Sequence, residues 1–310
     1  MNSSNQKLAE ECLNKARAYG DLSDSSVTKY LDSVNKFYSV VGKDFASLEI
    51  SDFENFILKM RDNDASNSRI ANVISAVKWV INFAQQNGMI KRTLDLEKIK
   101  KPKIERSPVI YLDKDEISKF RDCILKDIGD GEKSIRKIRM MALIELMLES
   151  GARIGEVLYV NVDEIDWEKR KIPVIGKGNK HRILRFRERG ELWIKKYLSI
   201  RNSDNPKLFV TLCGKSGWEQ TDVGRSFRKY RKLSGITKKF TLHTLRHTLA
   251  SQYALKGVPL PKIQRILGHA HLDTTVRYYV GAAEEAEVDK IMKDEYYDFI
   301  PQSTFETKGI

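Results

Sequence analysis

The chain has few of the features that staple a protein or seat it in a membrane. Its 310 residues hold three cysteines, Cys12, Cys123 and Cys213, far apart and odd in number. That argues against a disulfide frame or a zinc knuckle and fits free thiols in a reducing compartment. No apolar run approaches a membrane span. The start, MNSSNQKLAEECLNKARAYG, is polar and has no apolar signal-peptide core, so a cytoplasmic protein is expected. No internal repeat is visible. Histidine is scarce too, with five in all, yet four of them fall at 243, 247, 269 and 271.

Positive charge is in excess, and its placement is informative. Residues 1–106 carry 17 Lys and Arg against 14 Asp and Glu, a net +3. Residues 107–280 carry 35 against 20, a net +15, and residues 281–310 carry 3 against 8, a net −5. A positive field on the middle segment favours a polyanionic partner, although a solvated basic surface would have the same composition.

Apolar periodicity divides the chain. Residues 1–88 read as four helices. The first covers about 5–19 and the second about 25–41. Ser51 is expected to cap the third, and Ser66 or Asn67 the fourth. Residues 89–108, MIKRTLDLEKIKKPKIERSP, lack periodicity and read as a basic linker, either a strap along a polyanion or an ordinary solvated connection. A second domain, 109–283, opens on a capping box, Asp113 with Glu116. It continues with an apolar helix from Ile135 to Leu148. Strands at 172–175 and 183–186 flank a Gly176-Lys177-Gly178-Asn179 turn. Helices then cover about 190–199, 222–233 and 242–255. Residues 284–310 read as an acidic helix, with Val288, Ile291, Met292 and Tyr296 on one face, and a polar tail.

The densest chemistry lies between Thr241 and Tyr279. His243 and Arg246 are spaced to share one helix face. His269 follows a glycine after the amphipathic run Leu260, Ile263, Ile266 and Leu267. Tyr278 stands nine residues further on. Guanidinium and imidazole groups can neutralise a phosphodiester's oxygens, and a phenol can attack its phosphorus. Glu156, three residues past Arg153, could orient that arginine or be a plain surface acid. His181, His247 and His271 read as packing residues, with a phosphate contact as a further role open to His181. A rival reading takes His243, His247, His269 and His271 as ligands of a zinc or manganese ion for phosphoester hydrolysis. That reading leaves Arg153, Lys177 and Tyr278 without a role.

These motifs resemble those of the tyrosine recombinase, or phage integrase, family, and its Xer-like branch in particular. The HxxR box is His243-Thr244-Leu245-Arg246, and the LGH box is Leu267-Gly268-His269. Gly151-Ala152-Arg153-Ile154-Gly155-Glu156-Val157-Leu158 resembles the first arginine box. Val174-Ile175-Gly176-Lys177-Gly178-Asn179-Lys180 resembles the lysine hairpin. The resemblance covers about residues 110–280.

It implies a mainly α fold: a SAM-like helical core-binding domain over 1–88 and an α+β catalytic domain with a small antiparallel sheet. It implies a catalytic set of Arg153, Lys177, His243, Arg246, His269 and Tyr278. Tyr278 would be the nucleophile, and Lys177 the general acid, with Lys180 a nearby alternative. No metal or cofactor is implied. The implied partner is double-stranded DNA with an inverted-repeat recombination site, held by a homotetramer on two duplexes. The chain would be a monomer when free and associated with the nucleoid in the cytoplasm. The segment after the nucleophile would dock on a neighbouring protomer or on its own domain. A type IB topoisomerase-like enzyme and a non-catalytic DNA-binding protein remain as alternatives.

Overall fold

The computed structural model describes residues 3–20, 22–91, 93–104, 109–126, 132–176 and 180–268. The expected C-terminal helix, with Val288, Ile291, Met292 and Tyr296, lies outside them. The chain divides into two compact units, Met1–Ser107 and Pro108–Ile310. Among the described residues the architecture is mainly helical with one small antiparallel sheet. None of the described helices is long and apolar enough to cross a membrane.

The first unit holds helices α1 (Ser3–Ala18), α2 (Asp24–Val41), α3 (Ile50–Asp62) and α4 (Asn67–Gln86). α4 supplies more of the core than any other helix of the unit, burying Ile70, Ile74, Val77, Val80, Ile81 and Ala84. Phe37 packs between Phe53 and Phe56, with ring centroids 4.8 and 4.9 Å away. Ser66 caps α4 by accepting from the Arg69 amide at 3.3 Å. Ser51 does not cap α3, contrary to expectation. The helix starts earlier, because the Asp52 carboxylate reaches back to the Glu49 amide at 2.9 Å and makes Glu49 the cap.

The start of the expected linker is not a solvated connection. Ile90 and Ile99 are buried in the core of this unit. Lys78 and Asn67 of α4 donate to the carbonyls of Ile99 and Lys103 at 3.1 and 2.9 Å. Two isolated isoleucines give no period to read, yet each fills a gap beside the helix.

The second unit is built on α6 (Glu132–Ser150). Met140, Met141, Ala142, Leu143, Ile144 and Leu146 have no exposed surface, so this middle stretch of the helix is covered on every side. Around it lie α5 (Lys114–Leu125), α7 (Ile154–Leu158), α8 (Glu188–Ile200), α9 (Gln220–Leu233), α10 (Leu242–Leu255) and α11 (Leu260–Leu267). The one α6 charge at 0 % exposure, Glu145, is answered by a two-pronged bond from Arg121 at 2.5 and 2.6 Å. Near the start of the unit, the Leu112 amide donates to the Thr248 hydroxyl at 3.0 Å, joining residues 136 apart.

Strands β1 (Lys171–Gly176) and β2 (Lys180–Arg185) pair antiparallel, with Val174 opposite Arg182 and Gly176 opposite Lys180. Ile172, Val174 and Leu184 face the core, while Ile175 and Ile183 are exposed. His181 shares the outer face and is exposed, so the expected packing role does not hold: its strand parity points it away from the core.

Phe120, Phe227 and Phe240 form a mutual edge-to-face cluster between α5, α9 and the start of α10, with centroids 5.1 to 5.6 Å apart. Phe120 is 1 % exposed. Phe120→Ala is expected to lower the unfolding free energy of this unit by about 3–5 kcal/mol, read as a shifted urea midpoint at unchanged slope.

Candidate active site

α10 brings two of the expected residues together. Thr241 ends the preceding loop, and its amide donates to the Thr244 hydroxyl at 2.9 Å, which closes the first turn. His243 then stands on the first turn, and Arg246 lies one turn on, on the same side. Arg246 is 1 % exposed. Its guanidinium donates to the Gly151 carbonyl at 2.5 Å and to the Leu267 carbonyl at 2.7 Å. A buried cation is tolerable only with such partners. Gly151 has φ +61°, and a Cβ there would stand 2.8 Å from Leu267 and 3.0 Å from Leu249. The turn that follows α6 is therefore open to glycine for both conformational and steric reasons.

Arg153 follows two residues later, at the cap position of α7, in extended backbone. Glu156, one turn into α7, receives the Arg153 amide at 2.7 Å and the Arg153 guanidinium at 3.0 Å. Its carboxylate is buried, so the orienting role holds and the surface-acid alternative does not. The same carboxylate takes a further bond, from Arg182 of β2 at 2.7 Å.

Arg182 was not singled out in the sequence. Its other nitrogen donates to the carbonyls of Ile266, at 3.1 Å, and of Leu267. The Leu267 carbonyl thus accepts from both Arg182 and Arg246. The signal that could have found Arg182 is strand parity: it shares the inward face of β2 with Leu184, where a charge is unexpected. Burial pulls its pKa down, and the Glu156 carboxylate works the other way.

His243 is exposed at one edge, yet its pKa lies below the ordinary imidazole value. Partial burial is the main cause, and the cations Arg246 and Arg153 add to it. His247 packs its ring edge-on to His243, with centroids 4.5 Å apart and planes at 81°. Burial lowers its pKa to about 4. Lys177, His269 and Tyr278 lie outside the described residues, as does His271. Lys177 directly follows Gly176 of β1, and His269 directly follows Gly268, which ends α11. Half of the rival metal set is therefore outside the described residues as well.

Three buried or half-buried guanidiniums, a shared carboxylate and a low-pKa imidazole thus come from three elements, α7, β2 and α10. The arrangement can hold fixed positive charge against a polyanion and can move a proton.

Residues 111–285 match the family model described as the phage integrase family. A tyrosine recombinase of Thermosipho africanus is 29% identical over 277 residues, which cover 87% of this chain and 93% of that one. The tyrosine recombinase XerC of Thermodesulfovibrio yellowstonii is 29% identical over 266 residues, 82% of this chain and 86% of its own. Among solved structures, the XerH site-specific recombinase bound to a palindromic difH substrate aligns with a TM-score of 0.70 at 21% identity. That alignment covers 86% of this chain and 80% of the other. A lambda integrase dimer bound to a core site aligns with a TM-score of 0.69 at 16% identity, over 86% and 92% of the two chains. The fold is shared with both. With more than half of its length matched, the chain belongs to the phage integrase family, that of the tyrosine recombinases.

Proposed function

We propose that this chain recombines double-stranded DNA at specific sites, with Tyr278 as the nucleophile and Arg153, Lys177, His243, Arg246 and His269 as the rest of the catalytic set. The observation that carries the reading is the convergence of the Arg153 turn with His243 and Arg246 of α10, up to 93 residues apart and tied by the Arg246 bond to the Gly151 carbonyl. The XerH and lambda integrase relatives were captured on DNA, which supports the same partner here.

The chemistry follows from the phosphodiester. Its anionic oxygens repel a nucleophile, so fixed cations must cover them first. Arg153 and Arg246 serve that purpose, with hydrogen bonds from His243 and His269. The Tyr278 oxygen then bonds to phosphorus while the bond to the 5′ oxygen breaks. The phenol proton leaves to a base, for which neutral His243 is suited. Lys177 delivers a proton to the departing 5′ oxygen. The 3′-phosphotyrosyl link keeps the bond energy, and a 5′ hydroxyl from the partner strand reverses the step. Neither a nucleotide cofactor nor a metal takes part.

In this reading the first unit also binds the DNA. Four protomers act on two duplexes at an inverted-repeat site, and the free chain is a monomer. The acidic segment 284–310 docks against a basic catalytic unit, on a neighbour or on its own protomer. The enzyme works in the cytoplasm, on the nucleoid.

Tyr278→Phe should abolish covalent attachment to a nicked suicide substrate while DNA binding persists, and Tyr279→Phe should keep attachment. Loss with the Tyr279 variant alone would move the nucleophile by one residue. Cleavage should also survive excess chelator; activity lost with chelator and restored by zinc or manganese would favour the four-histidine metal site. The third expectation concerns His243. In the free protein its imidazole should titrate below 6.5, because burial and two cations disfavour the charged form. Duplex DNA should raise that value, because a phosphate favours imidazolium. Proton NMR of ring-labelled histidine reads both, and a value unmoved by DNA would remove His243 from the phosphate's surroundings.

A further inference from the structure

Arg182 joins three elements through one guanidinium. It belongs to β2, bonds the Glu156 carboxylate of α7 at 2.7 Å, and bonds the last carbonyls of α11, those of Ile266 and Leu267. Its side chain is only 12% exposed. Burying a guanidinium costs free energy unless charge and hydrogen bonds compensate. Here a carboxylate supplies the charge, and the negative end of a helix supplies the acceptors. The fit is close. Gly268 ends α11 at φ +64°, and a Cβ there would stand 2.7 Å from Arg182 Cδ. Glycine at this place answers two demands at once, a left-handed backbone and room for the arginine stem.

The three joined elements lead to three of the proposed catalytic groups. Glu156 holds Arg153. The hairpin of β1 and β2 carries Lys177, one residue past Gly176. α11 leads through Gly268 directly to His269. Arg182 also shares the Leu267 carbonyl with Arg246. From this geometry we infer that Arg182 is a positioning residue for strand cleavage, holding the hairpin that carries Lys177 in register with Arg153 and Arg246. It acts through these groups and does not itself touch the DNA. The inference rests on the recombinase reading above.

The test compares Arg182→Met and Arg182→Lys with the unaltered full-length chain, in single-turnover attachment at saturating DNA. Two suicide substrates are used. One has the normal 5′ bridging oxygen, and the other has sulfur there. A thiolate leaves without being protonated, so the sulfur substrate bypasses the general acid. With the oxygen substrate both variants should attach about 100-fold more slowly, the scale of an ångström-level misplacement. With the sulfur substrate the deficit should shrink to less than about tenfold, because the hairpin's lysine is no longer needed. Half-site binding should stay within about twofold, since the DNA contacts are untouched.

A merely structural arginine would slow both substrates equally, and that result overturns the positioning role. So does attachment at the normal rate on the oxygen substrate. If Arg182→Met fails to fold, Arg182→Lys carries the comparison alone, because it keeps the stem and the charge and loses only the fork. An unaltered chain that attaches to neither substrate overturns the recombinase reading itself, and the positioning role falls with it. Attachment by the unaltered chain together with undiminished variants sinks the positioning role only.

Discussion

One carbonyl oxygen, that of Leu267, accepts from two guanidiniums, the buried Arg246 and the largely buried Arg182. Cations do not enter a protein interior without answering charge or acceptors, and the partners here are scarce: a carboxylate, a turn carbonyl and the end of a helix. Each partner belongs to a different element. Satisfying the two charges therefore fixes α6's end, α7, the hairpin, α10 and α11 relative to one another. Loss of any one partner leaves a desolvated charge, a larger penalty than the loss of an ordinary surface bond. The two glycines at 151 and 268 follow from the same demand, because a side chain at either would push the partners apart.

The low imidazole pKa of His243 is a by-product of this arrangement. A residue next to two guanidiniums in partly dry surroundings cannot easily take a third positive charge. It stays neutral at physiological pH, which is the form that accepts a proton. The electrostatics that would draw a phosphate into the site also set the protonation state of the group beside it.

Much of the fold could be read from periodicity. The helix carrying His243 and Arg246 runs from Leu242 to Leu255, where the apolar pattern puts it. The i+3 spacing of Arg153 and Glu156 announced a contact, and the hairpin was marked by its glycine-rich turn. Local rules failed where a choice between neighbours was made by tertiary context. Ser51 is a good cap by type, but the reach of Asp52 to the Glu49 amide starts the helix earlier. Ile90 and Ile99 have no period, so nothing local tells that the helical bundle buries them. Arg182 was missed because a lone arginine in a basic hairpin resembles every other surface cation. Only its parity with Leu184 sets it apart, and its partners are 26 and 85 residues away in sequence.

That long reach bears on how the protein is made. The catalytic unit is closed by bonds between residues far apart: Leu112 with Thr248 over 136 residues, and Gly151 with Arg246 over 95. Synthesis proceeds from the N-terminus, and a domain folds when its contacts have been made. The four-helix unit has all of its core before residue 105 and can fold while the ribosome is still adding chain. The unit with the candidate active site has no such option. Until residue 248 has emerged, α6 has no α10 to cover it and the Gly151 turn has no guanidinium to receive. A partly made chain thus holds a finished helical module while the guanidinium bonds of the candidate active site, from Arg246 to the Gly151 and Leu267 carbonyls, are still unmade.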